Sequence, residues 1–316
     1  MARSIAVGLG LMEFPFASAG AFWRWVDLSE QGGADSIWQT DRLVSNGPIL
    51  ECMATMAALA GRTRRIKFGV NVISLAMRDP VLLAKQCATV DFLSDGRLLP
   101  AFGIGSPRGP EWQALHLDTT TRGRVTDEAL EIIRRLWRED HVDYEGRHFR
   151  LSGASISPKP VQRDLPMWIG GSSEAAIRRT ALLGTGWQAG SETPEEVAPV
   201  IEAIRRASAE AGRPLDDDHY GAAFSFRFGS PDDPGLRPAM DSYRKRTGRD
   251  PLGYFAIGDA GTIVARIADY VQAGISKFIL RPAASGDEDM LAQTRLLIEQ
   301  VLPQVAVRWP KPRRAA

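Results

Sequence analysis

The 316-residue sequence is poor in cysteine and histidine, with only Cys52, Cys87, His116, His141, His148 and His219. Two distant cysteines in apolar, helix-like segments form no disulfide framework. They read as small buried residues of a protein in a reducing cytoplasm. The histidines make neither His-x-His nor His-Glu-x-x-His, so no metal is expected. A Gly-x-Ser-x-Gly elbow is also missing, which argues against a serine hydrolase. No run reaches about 18 apolar residues, so no membrane span is expected. The apolar run that starts at Ile5 is too short and too early for a signal peptide. Lys and Arg number 39 against 38 Asp and Glu, a net charge of +1. That balance gives no case for a nucleic-acid or membrane-surface partner.

What the chain does have is alternation. Short β-rich runs cover residues 4–9, 35–39, 66–73, 97–104, 167–170, 186–189, 220–228 and 276–280. Segments of helical period separate them. Pro48 and Pro80 are placed to open helices. The near-continuous apolar run Ile66–Ile73 suits a strand covered on both faces. No Gly-x-Gly-x-x-Gly turn follows the first run. Eight β/α units over this length predict an α/β fold, a (β/α)₈ TIM barrel. A doubly wound open sheet is the runner-up. The predicted domain spans residues 1–308, with insertions near 139–166 and 229–258. The first insertion holds a hairpin turning at Glu145-Gly146, the second reads as a long loop, and 309–316 reads as a flexible tail.

A barrel of this kind works at the C-terminal ends of its strands. At the fifth run, Trp168-Ile-Gly-Gly-Ser-Ser-Glu-Ala-Ala176 ends a strand, turns on two glycines and starts a helix at serines. Such a turn offers N–H groups and a helix dipole to an anion, or is a tight loop with a serine cap. Asp41-Arg42 follows the second run, as a proton carrier or a local ion pair. Glu13 follows the first, as a pocket wall or a solvated side chain. Glu51 suits the first turn of a helix, and Glu111 and Trp112 suit a cap and core. Arg244-Lys-Arg246 reads as a solvated face or as the cations of a lid over the site, with Tyr254 and Phe255 closing on a flat ring. Trp23, Trp38, Phe14, Phe16 and Phe255 divide between core and pocket walls around a small or medium, apolar organic substrate.

Taken in order, Ile37-Trp-Gln-Thr-Asp-Arg-Leu43, Arg65-Ile-Lys-Phe-Gly-Val-Asn-Val72, Leu93-Ser-Asp-Gly-Arg97 and Phe102-Gly-Ile-Gly-Ser106 resemble the bacterial luciferase-like flavin oxidoreductases. So do Tyr144-Glu-Gly-Arg-His148, Pro158-Lys-Pro160, Ile169-Gly-Gly-Ser-Ser-Glu174, Gly186-Trp187 and Gly274-Ile-Ser-Lys-Phe-Ile-Leu280. The likeness runs from about residue 4 to residue 305.

The resemblance implies a barrel holding FMN or coenzyme F420 at its C-terminal face. Gly170, Gly171, Ser172 and Ser173 would hold the cofactor phosphate, with Trp187 nearby. Val70-Asn71 would form a third-strand bulge, often with a non-proline cis peptide, under the ring. Thr40 and Asp41 would border the ring, and Gly105 and Ser106 would line the pocket. Many members have His where Arg42 stands, and some deazaflavin members have Glu where Ser106 stands. The usual acid/base pair is therefore replaced. Asp41 or Glu13 would substitute, or Arg42 would stabilise a developing anion. The implied activity is F420-dependent hydride transfer. The alternatives are an FMN-dependent monooxygenase fed by a flavin reductase, and a non-catalytic flavin-binding barrel. A homodimer is expected.

Overall fold

Apolar runs of three to nine residues, most of them followed by a helix, build the core of the molecule. The computed structural model describes residues 5–310. Its strands are β1 (Ala6–Leu11), β2 (Ser36–Gln39), β3 (Lys67–Ser74), β4 (Leu98–Gly103), β5 (Val142–Glu145), β6 (Arg150–Ala154), β7 (Trp168–Gly170), β8 (Gly186–Gln188), β9 (Tyr220–Phe228), β10 (Phe255–Gly258) and β11 (Lys277–Pro282). Eight of them pair in parallel in the order β1-β2-β3-β4-β7-β8-β9-β11, and β11 pairs back onto β1. This closed ring with helices outside is the expected (β/α)₈ barrel. β5 and β6 form the expected antiparallel hairpin. The predicted tail falls largely on residues 311–316, outside the described residues.

Strand alternation sorts the side chains into two cores. Trp38, Ala101, Trp168, Ala223 and Ile279 fill the barrel interior. The two indoles fit because a Cβ at Gly69 would lie 2.5 Å from Trp38, and one at Gly186 2.5 Å from Trp168. The outward strand residues and the helices' apolar faces form the larger cluster. Trp25, Leu59, Cys87, Ile132 and Ile263 belong to it.

Local capping chemistry sets the helix starts. Ser18 caps Ala19–Gln31, Asp79 caps Pro80–Leu93, Ser173 caps Glu174–Leu182, and Asp259 caps Ala260–Gln272. Pro80 opens its helix as expected. Pro48 does not. That helix runs Cys52–Arg62, because the Glu51 side chain accepts the Ala54 N–H at 2.7 Å and fixes the start there.

One further expectation is corrected, and the last helix is interrupted. The stretch 229–258, read as a loop, contains a helix at Arg237–Thr247 and the strand β10, which lies parallel to β9. The helix buries only Tyr243, so its sequence carries little apolar period. The final helix is not continuous. Gly286–Leu296 passes through a π turn at Leu297–Val301 into Leu302–Arg308. Pro303 has no N–H to return to the carbonyl four residues back, which accounts for the break.

Candidate functional site

Above the indole layer the barrel interior turns small and polar. The next inward positions carry Gly10, Thr40, Asn71, Gly103, Gly170, Ser225 and Arg281. This mouth divides into two halves, one on β3, β4 and β7, the other on β1, β9 and β11.

On the first half, β3 breaks register with β4 between Val70 and Ile73. The cis peptide joins Asn71 to Val72, one bond beyond the expected Val70-Asn71. The bulge turns Val72 inward, where a Cβ at Gly103 would lie 2.6 Å from its Cγ2, and one at Gly170 2.7 Å from its Cγ1. Both glycines therefore make room for Val72. Among the described residues the Asn71 carboxamide has no hydrogen-bond partner. Val70 points the other way, into the outer core. Gly105, at φ +73°, brings the backbone close to Ser74, Met77 and Trp112. The Ser106 carbonyl accepts the Trp112 indole N–H at 2.6 Å.

The turn after β7 has the expected form but different side-chain partners. Gly171 takes φ +103°, a left-handed conformation that favours glycine. The Ser173 hydroxyl caps the helix by accepting from Ala176 N–H. The Ser172 hydroxyl donates to the Glu192 carboxylate, which also accepts the Gly190 N–H at 2.6 Å. The Ser172 proton is thus spent on Glu192, whereas Ser173 accepts and keeps its own O–H to donate. The N–H groups of Glu174 and Ala175, in the first helical turn, have no intrahelical partner. Trp187 is fully buried outside the ring and steadies the turn by donating to the Gly171 carbonyl at 2.8 Å. Because Gln188 takes the inward place on β8, Trp187 cannot line the mouth.

Asp41, Arg42 and Glu13 do not converge. Asp41 accepts from Arg78 Nη2 at 2.7 Å and Nε at 3.3 Å, and from the Ser74 N–H at 3.0 Å. Both its oxygens are thus engaged, and the partner is Arg78, not the adjacent Arg42. Burial opposes the charge on Arg78, but the Asp41 and Glu51 carboxylates outweigh it and raise its pKa. Arg42 is half-exposed and lies 3.9 Å from the buried Glu111 carboxylate. Thr40 donates to the Met12 carbonyl at 2.9 Å and joins the ends of β1 and β2. Glu13 is exposed on the rim of the other half.

That other half holds a cavity of about 510 Å³, lined by Gly10, Glu13, Phe14, Ser225, Tyr254 and Arg281 among others. Its cover is the helix Arg237–Thr247. Arg244, Lys245 and Arg246 are exposed there, and Arg246 also lines the cavity. Tyr243 stacks on Tyr254 with centroids 4.9 Å apart. Arg281 Nη1 donates to Tyr254 Oη at 3.0 Å. Of the aromatic candidates, Phe14 and Phe255 line this cavity, whereas Trp38 fills the barrel and Phe16 packs on Trp25. Trp23 packs on Phe22. Arg281 stands at the C-terminal end of its strand, and alternation from the interior Ile279 turns it inward.

A family model for luciferase-like monooxygenases matches residues 7–250. The chain belongs to that family. An uncharacterized protein of Mycobacterium tuberculosis is 32% identical over 167 residues, a match covering 52% of this chain and 57% of that protein. The chain thus matches little more than half the length of this relative. The F420-dependent glucose-6-phosphate dehydrogenase of Microbacterium testaceum is 25% identical over 323 residues, covering 89% of this chain and 92% of that enzyme. The structure of an F420-dependent secondary alcohol dehydrogenase with an F420–acetone adduct superposes with a TM-score of 0.81. It is 20% identical and covers 96% of this chain and 99% of that one, a likeness of fold. Among the described residues no helix is long and apolar enough to cross a membrane.

Proposed function

We propose that the protein is an F420-dependent oxidoreductase that moves a hydride to or from a small organic substrate. The observation that carries this reading is the divided mouth. A bulged strand and a backbone-lined turn occupy one half, and a roomy cavity with aromatic walls occupies the other. Similarity to F420-dependent enzymes along most of the chain favours the deazaflavin. The family description, luciferase-like monooxygenase, supports a second reading, an FMN-dependent monooxygenase fed by a partner reductase.

The β7 turn fits a phosphate through its backbone N–H groups, with the Ser173 O–H as a further donor. Gly171 opens the turn, and the N–H groups of Glu174 and Ala175 are unspent at the positive end of a nine-residue helix. Asn71 and the β3 bulge would hold the ring. When bound, F420 supplies a two-electron hydride carrier, and the protein supplies position and a dry site.

The chain's own groups do the rest. Phe14, Tyr243, Tyr254 and Phe255 wall the cavity and exclude water. Tyr254 Oη accepts from Arg281, so its own hydrogen is available to a substrate oxygen. Asp41, fixed by Arg78 and the Ser74 N–H, holds the β2 and β3 loops together rather than carrying a proton. Arg42 and Glu111 bridge the loops after β2 and β4. A homodimer in a reducing cytoplasm belongs to the same reading.

A fluorescence titration with F420 and FMN, added separately, tests it. Trp187 touches the β7 turn and is a built-in reporter. Tight F420 binding with weak FMN binding is expected. The reverse preference would make the protein a monooxygenase component. Binding of neither below roughly millimolar, about 4 kcal/mol, would end the cofactor assignment. Cofactor binding with no turnover across a broad substrate panel would leave a non-catalytic flavin-binding barrel.

A further inference from the structure

Arg281 is 9% exposed, and among the described residues no carboxylate lies within ion-pairing distance of it. Its Nη1 meets only the neutral phenol of Tyr254, and its Nε is enclosed without a partner. Three other arginines near the barrel each meet a carboxylate, whereas Arg122, whose Nε is likewise enclosed, donates to the Thr119 carbonyl at 2.7 Å. Arg227, at the end of the adjoining β9, is paired with Asp233 at 2.8 Å and Asp289 at 2.7 Å. Arg78 is paired with Asp41 and Glu51, and Arg179 with Asp127. A guanidinium taken out of water without a counter-ion is costly, and an oxyanion that reaches it relieves the cost. Its planar fork matches carboxylate or phosphate oxygens.

The surroundings keep this group aimed at the cavity. The side chain crosses β1 at Gly10, where a Cβ would lie 3.2 Å from Arg281 Cγ and 2.5 Å from Ile279 Cγ2. Ser225 pairs with Arg281 across the sheet and offers a hydroxyl to the same space. Arg246 adds a second cation on the rim, braced by Ser191 Oγ at 3.0 Å. Glu13 is the only carboxylate lining the cavity, and it pairs with neither arginine among the described residues.

We propose that the cavity contains an oxyanion subsite, in which Arg281, with Arg246 at the rim, binds a carboxylate or phosphate carried by the organic substrate. The word substrate rests on the oxidoreductase reading; the anion subsite does not. The expectation of an apolar substrate is thereby refined to an apolar or aromatic body with one anionic end.

Calorimetric titration of the cofactor-free protein with benzoate, phenyl phosphate and the neutral isostere benzamide tests the subsite. Benzoate or phenyl phosphate should bind at least tenfold more tightly than benzamide. Arg281→Met should abolish that preference and leave the Tm at or above wild type. Equal binding of charged and neutral probes, or an unchanged preference in the variant, would overturn the proposal. So would a large drop in Tm, which would make Arg281 a structural cation. The same variant titrated with F420 and FMN separates the sources of the anion. Affinity within about twofold of wild type is expected, and a tenfold loss would assign Arg281 to the cofactor's phosphate instead. If wild type binds neither cofactor, the oxidoreductase reading fails while the benzoate and phenyl phosphate results still decide the subsite.

Discussion

Arg78 grips Asp41 with two donors, at 2.7 and 3.3 Å, and the Asp41 side chain is only 2% exposed. Removing one partner of such a pair leaves an uncompensated buried charge, at a cost of about 3–5 kcal/mol. Arg78→Met is therefore expected to lower stability by that amount in urea unfolding. Adding Asp41→Asn should recover part of the loss, because the stranded charge is then gone.

Val72 fills the space a Cβ would take at Gly170. Gly170→Ala should cost about 1–3 kcal/mol through overpacking. Val72→Ala in the same chain should relieve it. Thermal unfolding of the two single variants and the double variant reads the coupling directly. An additive result would mean that Gly170 is needed for another reason.

Glu30 accepts the N–H groups of Arg64, Arg65 and Ile66 at 2.7, 2.6 and 3.1 Å and so ties its helix to the start of β3. Burial pushes its carboxyl up, but the three N–H groups together pull it further down, below the ordinary carboxylate value. The lowered native pKa sets the sign. Its contribution is fully present above the unfolded-state value of about 4.3 and is lost as pH falls through the native one. Glu30→Gln should cost about 1–2 kcal/mol at pH 7. It should also flatten the acid limb of a stability–pH curve relative to wild type.

The two thiols should be silent to alkylation in the native state. Both are free and buried. Burial, and then the neighbouring Asp91, pushes Cys87 up to about 12. Burial, and then Asp41, pushes Cys52 up as well. The reactive thiolate is therefore scarce at pH 8. Timed labelling should show neither thiol reacting until urea unfolds the chain, when both react.

The barrel strands were legible because each is a dense apolar run bounded by turn residues. The ring order then follows from the short crossovers between neighbours. β10 escaped because four residues, Phe255-Ala-Ile-Gly258, sit at the end of a polar, proline-rich stretch. The Arg237–Thr247 helix escaped because a surface helix with one buried side chain lacks an apolar stripe.

The site was partly legible by position and poorly by partner. Strand ends put Asp41, Asn71 and Gly170 near the mouth, but Arg78 lies on a different β/α unit from Asp41, and no local pattern links them. Val70 and Trp187 were placed by motif alone, and the two-residue strand period sends both side chains to the helix side. Arg281 needed only that same period, counted from an interior Ile279. Its lack of a counter-ion is visible only when the neighbouring strands are in place.

The pairing of β10 with β9 limits how this protein can change. Residues 229–254 leave the top of β9 and must return to its middle, where Phe255 lies beside Ser225. A parallel return of this kind needs about a dozen residues or more. Shortening the segment below that span would pull β10 off the sheet and uncover the cavity at once. Diversity over the cavity is thus expected to arise by exchanging side chains on a cover of nearly constant length, not by trimming the cover itself.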